Sequence, residues 1–416
     1  MYKRIETNKW DFRTVNTKEY THCYHTYPAM MIPQIARKLL KEYTPNFPVK
    51  LVLDPYMGSG TTLVESAILG IDSIGFDINP LARFIGDVKV TLYDIEKINE
   101  SFEEIKNQIF MFDFSPITYN SDDYLRITKS EYWYSKDSLI KLKFLSDTIN
   151  ALPNNKLKPF FLIALSEVIR EVSFTRNGEF KRYRISESKI PTYNVQPFKL
   201  FVEKTTRNIE GLKMFAKETP TFNAVISNCN SVKEIPADIV KPESVDMVVT
   251  SPPYGDSRTT VAYGQFSRWA SEWFGFENAK NIDKTLMGGE PKKNTTFYSN
   301  SINAELELIK HADIKRYYEV VTFLDEYKNS MINVASTVKR GGKVCYVVGN
   351  RNVKGVQIPL DYFTAETFES CGFKHEKTYV RSIPNKRMPS KTSPTNKKGI
   401  NVSTMTAEYI VILTKQ

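Results

Sequence analysis

Apolar positions along this chain keep two rhythms that alternate. Continuous apolar runs occur at Leu51-Val-Leu-Asp54, Asp72-Ser-Ile-Gly-Phe-Asp77, Asn223-Ala-Val-Ile-Ser-Asn228, Val245-Asp-Met-Val-Val249 and Lys343-Val-Cys-Tyr-Val-Val348. Such short, β-branched runs predict buried strands. Between them the spacing becomes helical. Ile32, Ile35, Ala36, Leu39 and Leu40 share one face of a helix predicted over Met30–Tyr43. Thr61–Leu69 predicts a second helix, stopped by Gly70. Leu81–Val88 starts a third after Asn79-Pro80. Val320, Phe323, Leu324, Tyr327, Met331 and Val334 predict an amphipathic helix over Tyr317–Val338, ended by Arg340-Gly341-Gly342. Asp361–Ser370 predicts another. Phe373–Ile383 and Ala407–Leu413 complete a set of seven strands. Residues 1–28 have no clear period.

The alternation is that of an open α/β sheet. It stops between about 90 and 220, where helical spacing continues alone. Ile98, Phe102, Ile105 and Ile109 are one face, and Leu139, Leu142, Leu145 and Ile149 another. Phe160–Val172 is apolar nearly all round, as in a buried helix. The chain therefore divides into residues 1–90, a helical insertion at 91–220, and residues 221–416. The insertion ends in Arg176-Asn-Gly-Glu-Phe-Lys181-Arg182-Tyr183-Arg184, which suits a nucleic-acid strip and a solvated basic loop equally. Tyr263, Phe266, Trp269, Trp273, Phe274 and Phe276 are expected in a core. Residues 278–315 are expected as a polar, mobile loop near the site.

Two stretches carry chemistry. Ser251-Pro252-Pro253-Tyr254 follows the Val245–Val249 strand, and a Pro-Pro pair forces the backbone out of the sheet. Strand ends of open α/β sheets are where ligands sit. A hydroxyl, carbonyls without a competing N–H and a flat ring together suit an exocyclic amine on a planar heterocycle. The second stretch, Asp54-Pro-Tyr56-Met-Gly58-Ser-Gly60-Thr61, is a strand–glycine turn–helix unit that lets backbone N–H groups approach a ligand. No Gly-Lys-Ser/Thr follows, so it is not a phosphate loop, and it lacks the three-glycine dinucleotide spacing. Asp77 ends the next strand, where a carboxylate takes both hydroxyls of a ribose.

These stretches together resemble the amino-methylating DNA methyltransferases that use S-adenosylmethionine. The resemblance implies a seven-stranded Rossmann-like sheet and supplies its spatial order. Asp54-Pro-Tyr56-Met-Gly58-Ser-Gly60-Thr61 is similar to their cofactor loop, with Tyr56 where Phe is usual. Asp77-Ile-Asn79-Pro80 resembles their ribose-binding turn, and Ser251-Pro252-Pro253-Tyr254 their catalytic motif. His25-Thr-Tyr27-Pro-Ala resembles the segment that closes over the cofactor's methionine end. Asn230 stands where Asp is frequent beside the adenine ring. Arg381-Ser-Ile-Pro-Asn-Lys386-Arg387-Met-Pro resembles a segment of some members. The family's activity would be methyl transfer to an exocyclic amine of a flipped base, within a restriction-modification system. The Ser-Pro-Pro-Tyr form goes more often with N4 of cytosine. N6 of adenine, an RNA amino-methyltransferase and a non-catalytic nucleic-acid-binding protein stay open as alternatives.

Composition moves this picture slightly. Lys and Arg exceed Asp and Glu by 57 to 47, a net charge of +10, which favours a polyanionic partner. Double-stranded DNA is the expected partner, with a cognate restriction endonuclease. Arg258, Lys386, Arg387 and Lys391 are candidate DNA contacts, the last three in a Pro384–Thr406 loop with no acidic residue. The four cysteines have no metal spacing, and three sit in or beside apolar runs. With His22 and His25 read as packing or cofactor contacts, no metal is expected. The absence of a signal peptide and of a membrane-spanning run predicts a cytoplasmic protein.

Overall fold

A computed structural model describes the chain apart from residues 1, 44–47, 114–118, 257–258, 294–295, 384–390, 393–401 and 404–406, and apart from the side chains of 391, 392, 402 and 403. Its main sheet contains β1 (Arg4–Glu6), β2 (Leu51–Asp54), β3 (Asp72–Phe76), β4 (Ala224–Ser227), β5 (Val245–Thr250) and β6 (Val338–Val348). After a small hairpin, β7 (Arg351–Val353) with β8 (Val356–Ile358), comes β9 (Phe373–Ser382). A second short pair, β10 (Lys391–Thr392) with β11 (Val402–Ser403), precedes β12 (Ala407–Lys415). The sheet order is β1-β9-β12-β6-β5-β2-β3-β4. The run from β6 to β4 is parallel, and β12 is antiparallel to both its neighbours.

The sheet therefore has eight strands where seven were expected. The extra one is β1, which pairs in parallel with β9 through three residues, Arg4, Ile5 and Glu6. Three residues are too few to show a period, and an edge strand needs no apolar alternation.

Burial along adjacent strands defines two layers. Val52, Met247, Val249, Cys345 and Val347 share a core with Ile35, Leu39 and Leu40 of α1 (Pro33–Glu42). Leu53, Val248, Val344, Tyr346 and Val348 face the other way, onto helices described below. All six residues of β5 are buried, as in a strand covered on both faces.

The glycine turn leads into α2 (Thr61–Ile68), and Asn79 caps α3 (Pro80–Val90) by accepting from Leu81 N at 3.1 Å. The region after it holds α4 (Ile95–Phe110), α5 (Ser130–Trp133), α6 (Lys136–Ala151), α7 (Lys158–Glu171) and α8 (Pro197–Glu218). Asp94 and Ser135 cap α4 and α6. These helices share a core with Tyr24, Tyr27, α3 and the buried aromatics Phe266 and Trp269. Those two lie on α9 (Tyr263–Phe274). The expected loop at 278–315 instead contains α10 (Ile282–Thr285) and α11 (Asn303–Ala312). Leu306 and Ile309 are buried against α12 (Ile314–Thr337), two apolar contacts that the surrounding polar residues hid. α13 (Leu360–Ser370) completes that layer. Gly341 and Gly342 lie within β6 and do not end α12, which stops at Thr337.

β2 connects toward β3, and β5 connects the opposite way toward β6. The adjacent ends of β2 and β5 are therefore the topological switch point, where open α/β sheets leave a crevice.

Candidate active site

That crevice is a cleft of about 990 Å³, counting its open mouth. Asp54, Tyr56, Gly58 and Thr61 line it from the glycine turn, and Asp77 and Ile78 from the end of β3. Asn230 and Val232 line it after β4, Ser251 and Pro253 after β5. Tyr27, Tyr263 and Met287 close its remaining sides.

The glycine turn is tied to the β3 end by its own backbone. Gly58 N donates to Asp77 Oδ2 at 3.2 Å, and Asn79 N to Asp77 Oδ1 at 2.7 Å. Burial nevertheless pushes the Asp77 carboxyl up to about 7, against these two bonds and the nearby Arg83. Gly60 opens α2 at φ 78°, the left-handed region, and a Cβ there would lie 3.0 Å from Gly86 Cα. Asp54 is buried and accepts from Thr250 Oγ1 at 2.5 Å and Tyr56 N at 3.1 Å. Burial pushes its carboxyl up to about 6. The carboxylate at the end of β2 is thereby joined to the residue preceding Ser251.

Tyr56 uses its hydroxyl. It lies 2.5 Å from Ser330 Oγ on α12, which donates to Ser231 Oγ at 2.7 Å. Asn333, one turn on, donates to the Ser231, Val232 and Lys233 carbonyls. This fixes the turn holding Asn230, whose Oδ1 accepts from Val232 N at 3.1 Å.

Some expected site residues stand behind the cleft. Asn79 is buried and donates to the Tyr27 hydroxyl at 3.0 Å, and Tyr27 in turn stacks on Tyr263 at 5.9 Å. Gly60 shapes the turn without lining the cleft. His25 is away from the lining, edge-on to Phe266, and burial pushes its imidazole down to about 3. His22 is bonded to Glu65 at 2.9 Å, which also pairs with Arg37. Among the described residues no group of His, Cys, Asp and Glu could hold a metal, and no helix is long and apolar enough to cross a membrane.

Pro252 is buried, and Tyr254 is half-buried rather than lining the cleft. The Tyr254 hydroxyl lies 3.0 Å from Ser251 Oγ and 3.1 Å from Glu408 Oε1 on β12. Ser251 Oγ also donates to the Val347 carbonyl at 3.1 Å. Asp256 is gripped by Arg351 at 2.9 Å and by Thr259. Burial pushes the Asp256 carboxyl up, but Arg351 and Thr259 outweigh it and hold it below its usual range. A side chain on Gly255 would strike the Arg351 guanidinium. Glu408 and Arg351 were not expected from sequence, and no local pattern marks them. Arg258, Lys386 and Arg387 lie outside the described residues, and only the backbone of Lys391 is described, in β10.

A family model described as DNA methylase matches residues 2–83. The type II methyltransferase M.MvaI of Kocuria varians is 36% identical, over 99% of this chain and 95% of its own. The type II methyltransferase M.BsoBI of Geobacillus stearothermophilus is 23% identical, over 88% and 81% respectively. The type II methyltransferase M.MjaII of Methanocaldococcus jannaschii is 40% identical over 24% of this chain and 19% of its own.

Proposed function

Since the chain belongs to the type II DNA methyltransferases, we propose that it methylates N4 of cytosine at a specific duplex site, with S-adenosylmethionine as donor. One observation supports methyl transfer to a base amine: Asp77 and Ser251 line the same cleft at the switch point; the choice of cytosine rests on the Ser-Pro-Pro-Tyr form of the motif. The donor supplies a methyl group on a positively charged sulfur. The residues present suit it. Asp77 keeps a carboxylate in the wall to accept from two ribose hydroxyls. Ile78, Val232 and Met287 offer apolar faces for its adenine, beside Asn230. The glycine turn, Asp54 and Tyr27 border the methionine end.

Ser251 Oγ and the Pro252 carbonyl accept from the target amine. Its lone pair is conjugated into the ring, and these bonds favour a pyramidal nitrogen whose lone pair would be free to take the methyl group that a bound donor would supply. The base leaves the duplex to reach this depth, and Tyr254 offers its ring as a stacking face. Pro253 keeps the turn rigid. Asn79 supports Tyr27 from behind, and His25 packs on the Phe266 ring that Tyr27 also meets. Arg258, Lys386, Arg387 and Lys391 contact DNA phosphates. A cognate endonuclease cutting the same site is the fitting partner, and the cytoplasm, where the DNA is, the fitting compartment.

The test is transfer of a labelled methyl group to duplex DNA, followed by mass spectrometry of the nucleosides. N4-methylcytosine is expected. A product of N6-methyladenine alone would overturn the choice of base, and no labelled nucleoside would overturn the activity.

A further inference from the structure

Ser251 is neutral, and a hydroxyl both donates and accepts. An amine partner needs it to accept. The groups around it decide which it does. Glu408 is a carboxylate in which Oε2 lies 3.1 Å from Arg381 Nη1 and Oε1 lies 3.1 Å from the Tyr254 hydroxyl. Arg381, on β9, is 2% exposed, so this pair is largely out of water. The ionised carboxylate only accepts, and a bond to a charged acceptor is roughly twice as strong as one between neutral groups. The single Tyr254 proton therefore points to Glu408 and away from Ser251. Ser251 has one proton of its own, for the Val347 carbonyl or the Tyr254 oxygen. Neither choice consumes its lone pairs.

We propose that Glu408, fixed by Arg381, is a positioning residue that keeps Ser251 an acceptor toward the target amine. Toward the amine a neutral serine thereby acts as an acceptor, as an aspartate would, with the carboxylate two hydrogen bonds away on β12. Without that carboxylate the Tyr254 proton turns to Ser251 Oγ, 3.0 Å off, and takes one of its two lone pairs, so that the amine is left to the other, on a weaker acceptor. The inference rests on the reading of Ser251 as the partner of the amine.

The experiment compares single-turnover methyl transfer, cofactor affinity and thermal midpoint in wild type, Glu408→Gln, Tyr254→Phe and the double variant. Glu408→Gln should slow transfer about tenfold, as when one preorganised polar contact is weakened, with cofactor affinity held. Tyr254→Phe keeps the ring and removes the competing proton. The double variant should therefore be faster than Glu408→Gln alone, an outcome a merely structural role for Glu408 does not give. A full rate in Glu408→Gln, or a double variant as slow as it or slower, overturns the inference. Should Glu408→Gln fail to fold, Tyr254→Phe decides alone: a loss as large as that of Ser251→Ala overturns it. Wild type that methylates no DNA removes the amine reading and this inference with it. Wild type that methylates DNA beside an unimpaired Glu408→Gln removes this inference only.

Discussion

The two turns at the switch point differ in how their carboxylates are held. The cofactor-side turn is tied at Asp77 by backbone groups close in sequence, although Asp54 and Tyr56 also reach Thr250 and Ser330, 196 and 274 residues away. Asp77 takes backbone N–H groups from Gly58 and Asn79, 19 and 2 residues away in sequence. The base-side turn is held by side chains from far along the chain. Arg351 reaches Asp256 across 95 residues, and Glu408 reaches Tyr254 across 154. A turn closed by backbone bonds tolerates change in distant side chains. A turn closed by distant side chains is adjusted by each of them.

This contrast is broken hardest at Arg351. Arg351→Ala leaves the Asp256 carboxylate, 2% exposed, without its cation. Losing one partner of a buried pair costs about 3–5 kcal/mol, read as a lower unfolding midpoint. The turn should loosen while cofactor affinity holds; an unchanged midpoint would show that Arg351 holds nothing. Asp77→Ala acts on the other side. Losing a charged acceptor for two hydroxyls should weaken cofactor binding by roughly 1.5–3 kcal/mol, measured by calorimetry.

pH separates the turns as well. On the proposed role of Asp77, cofactor binding requires its ionised form, and the carboxyl is raised to about 7. Affinity should be level above that pH and fall about tenfold per unit below it. A raised carboxyl also means that its contribution to the stability of the empty protein is present below the unfolded pKa of about 4 and lost as pH rises through about 7. Asp77→Asn should thus flatten the binding profile and stabilise the empty protein at pH 8 but not at pH 4. A wild-type profile flat from pH 5 to 8 would contradict the role of Asp77. The smallest effect is at Tyr56. Tyr56→Phe removes the bond to Ser330 and should cost about 1 kcal/mol of stability; a loss of cofactor binding beyond tenfold would show the hydroxyl acting on the ligand instead.

The same contrast explains what the sequence reveals. The apolar runs disclose all the strands of the parallel core and the antiparallel β9–β12 pair, because each carries an apolar or β-branched run, even β4, none of whose residues is fully buried. The glycine turn and Asp77 are legible because their residue types are restricted and the bonds between them join nearby stretches. Glu408 and Arg351 are not legible: each is an ordinary charged residue whose meaning arises only when β12, or the segment after β6, is laid beside β5. His25 was expected beside the cofactor because it shares a segment with Tyr27. Both rings meet Phe266, but only Tyr27 also lines the cleft. β1 and α11 escaped for another reason, since a three-residue edge strand and a helix burying two residues carry too little pattern.

The central claim is that one cleft holds the cofactor at Asp77 and the reacting amine at Ser251. Ser251→Ala tests it most directly, with calorimetric affinity for S-adenosylmethionine and single-turnover transfer to duplex DNA measured on the same preparation. The account predicts unchanged affinity and a rate lower by about a hundredfold or more, as for loss of one preorganised polar contact. A wild-type rate, or loss of cofactor binding without a separate loss of rate at saturation, would contradict it.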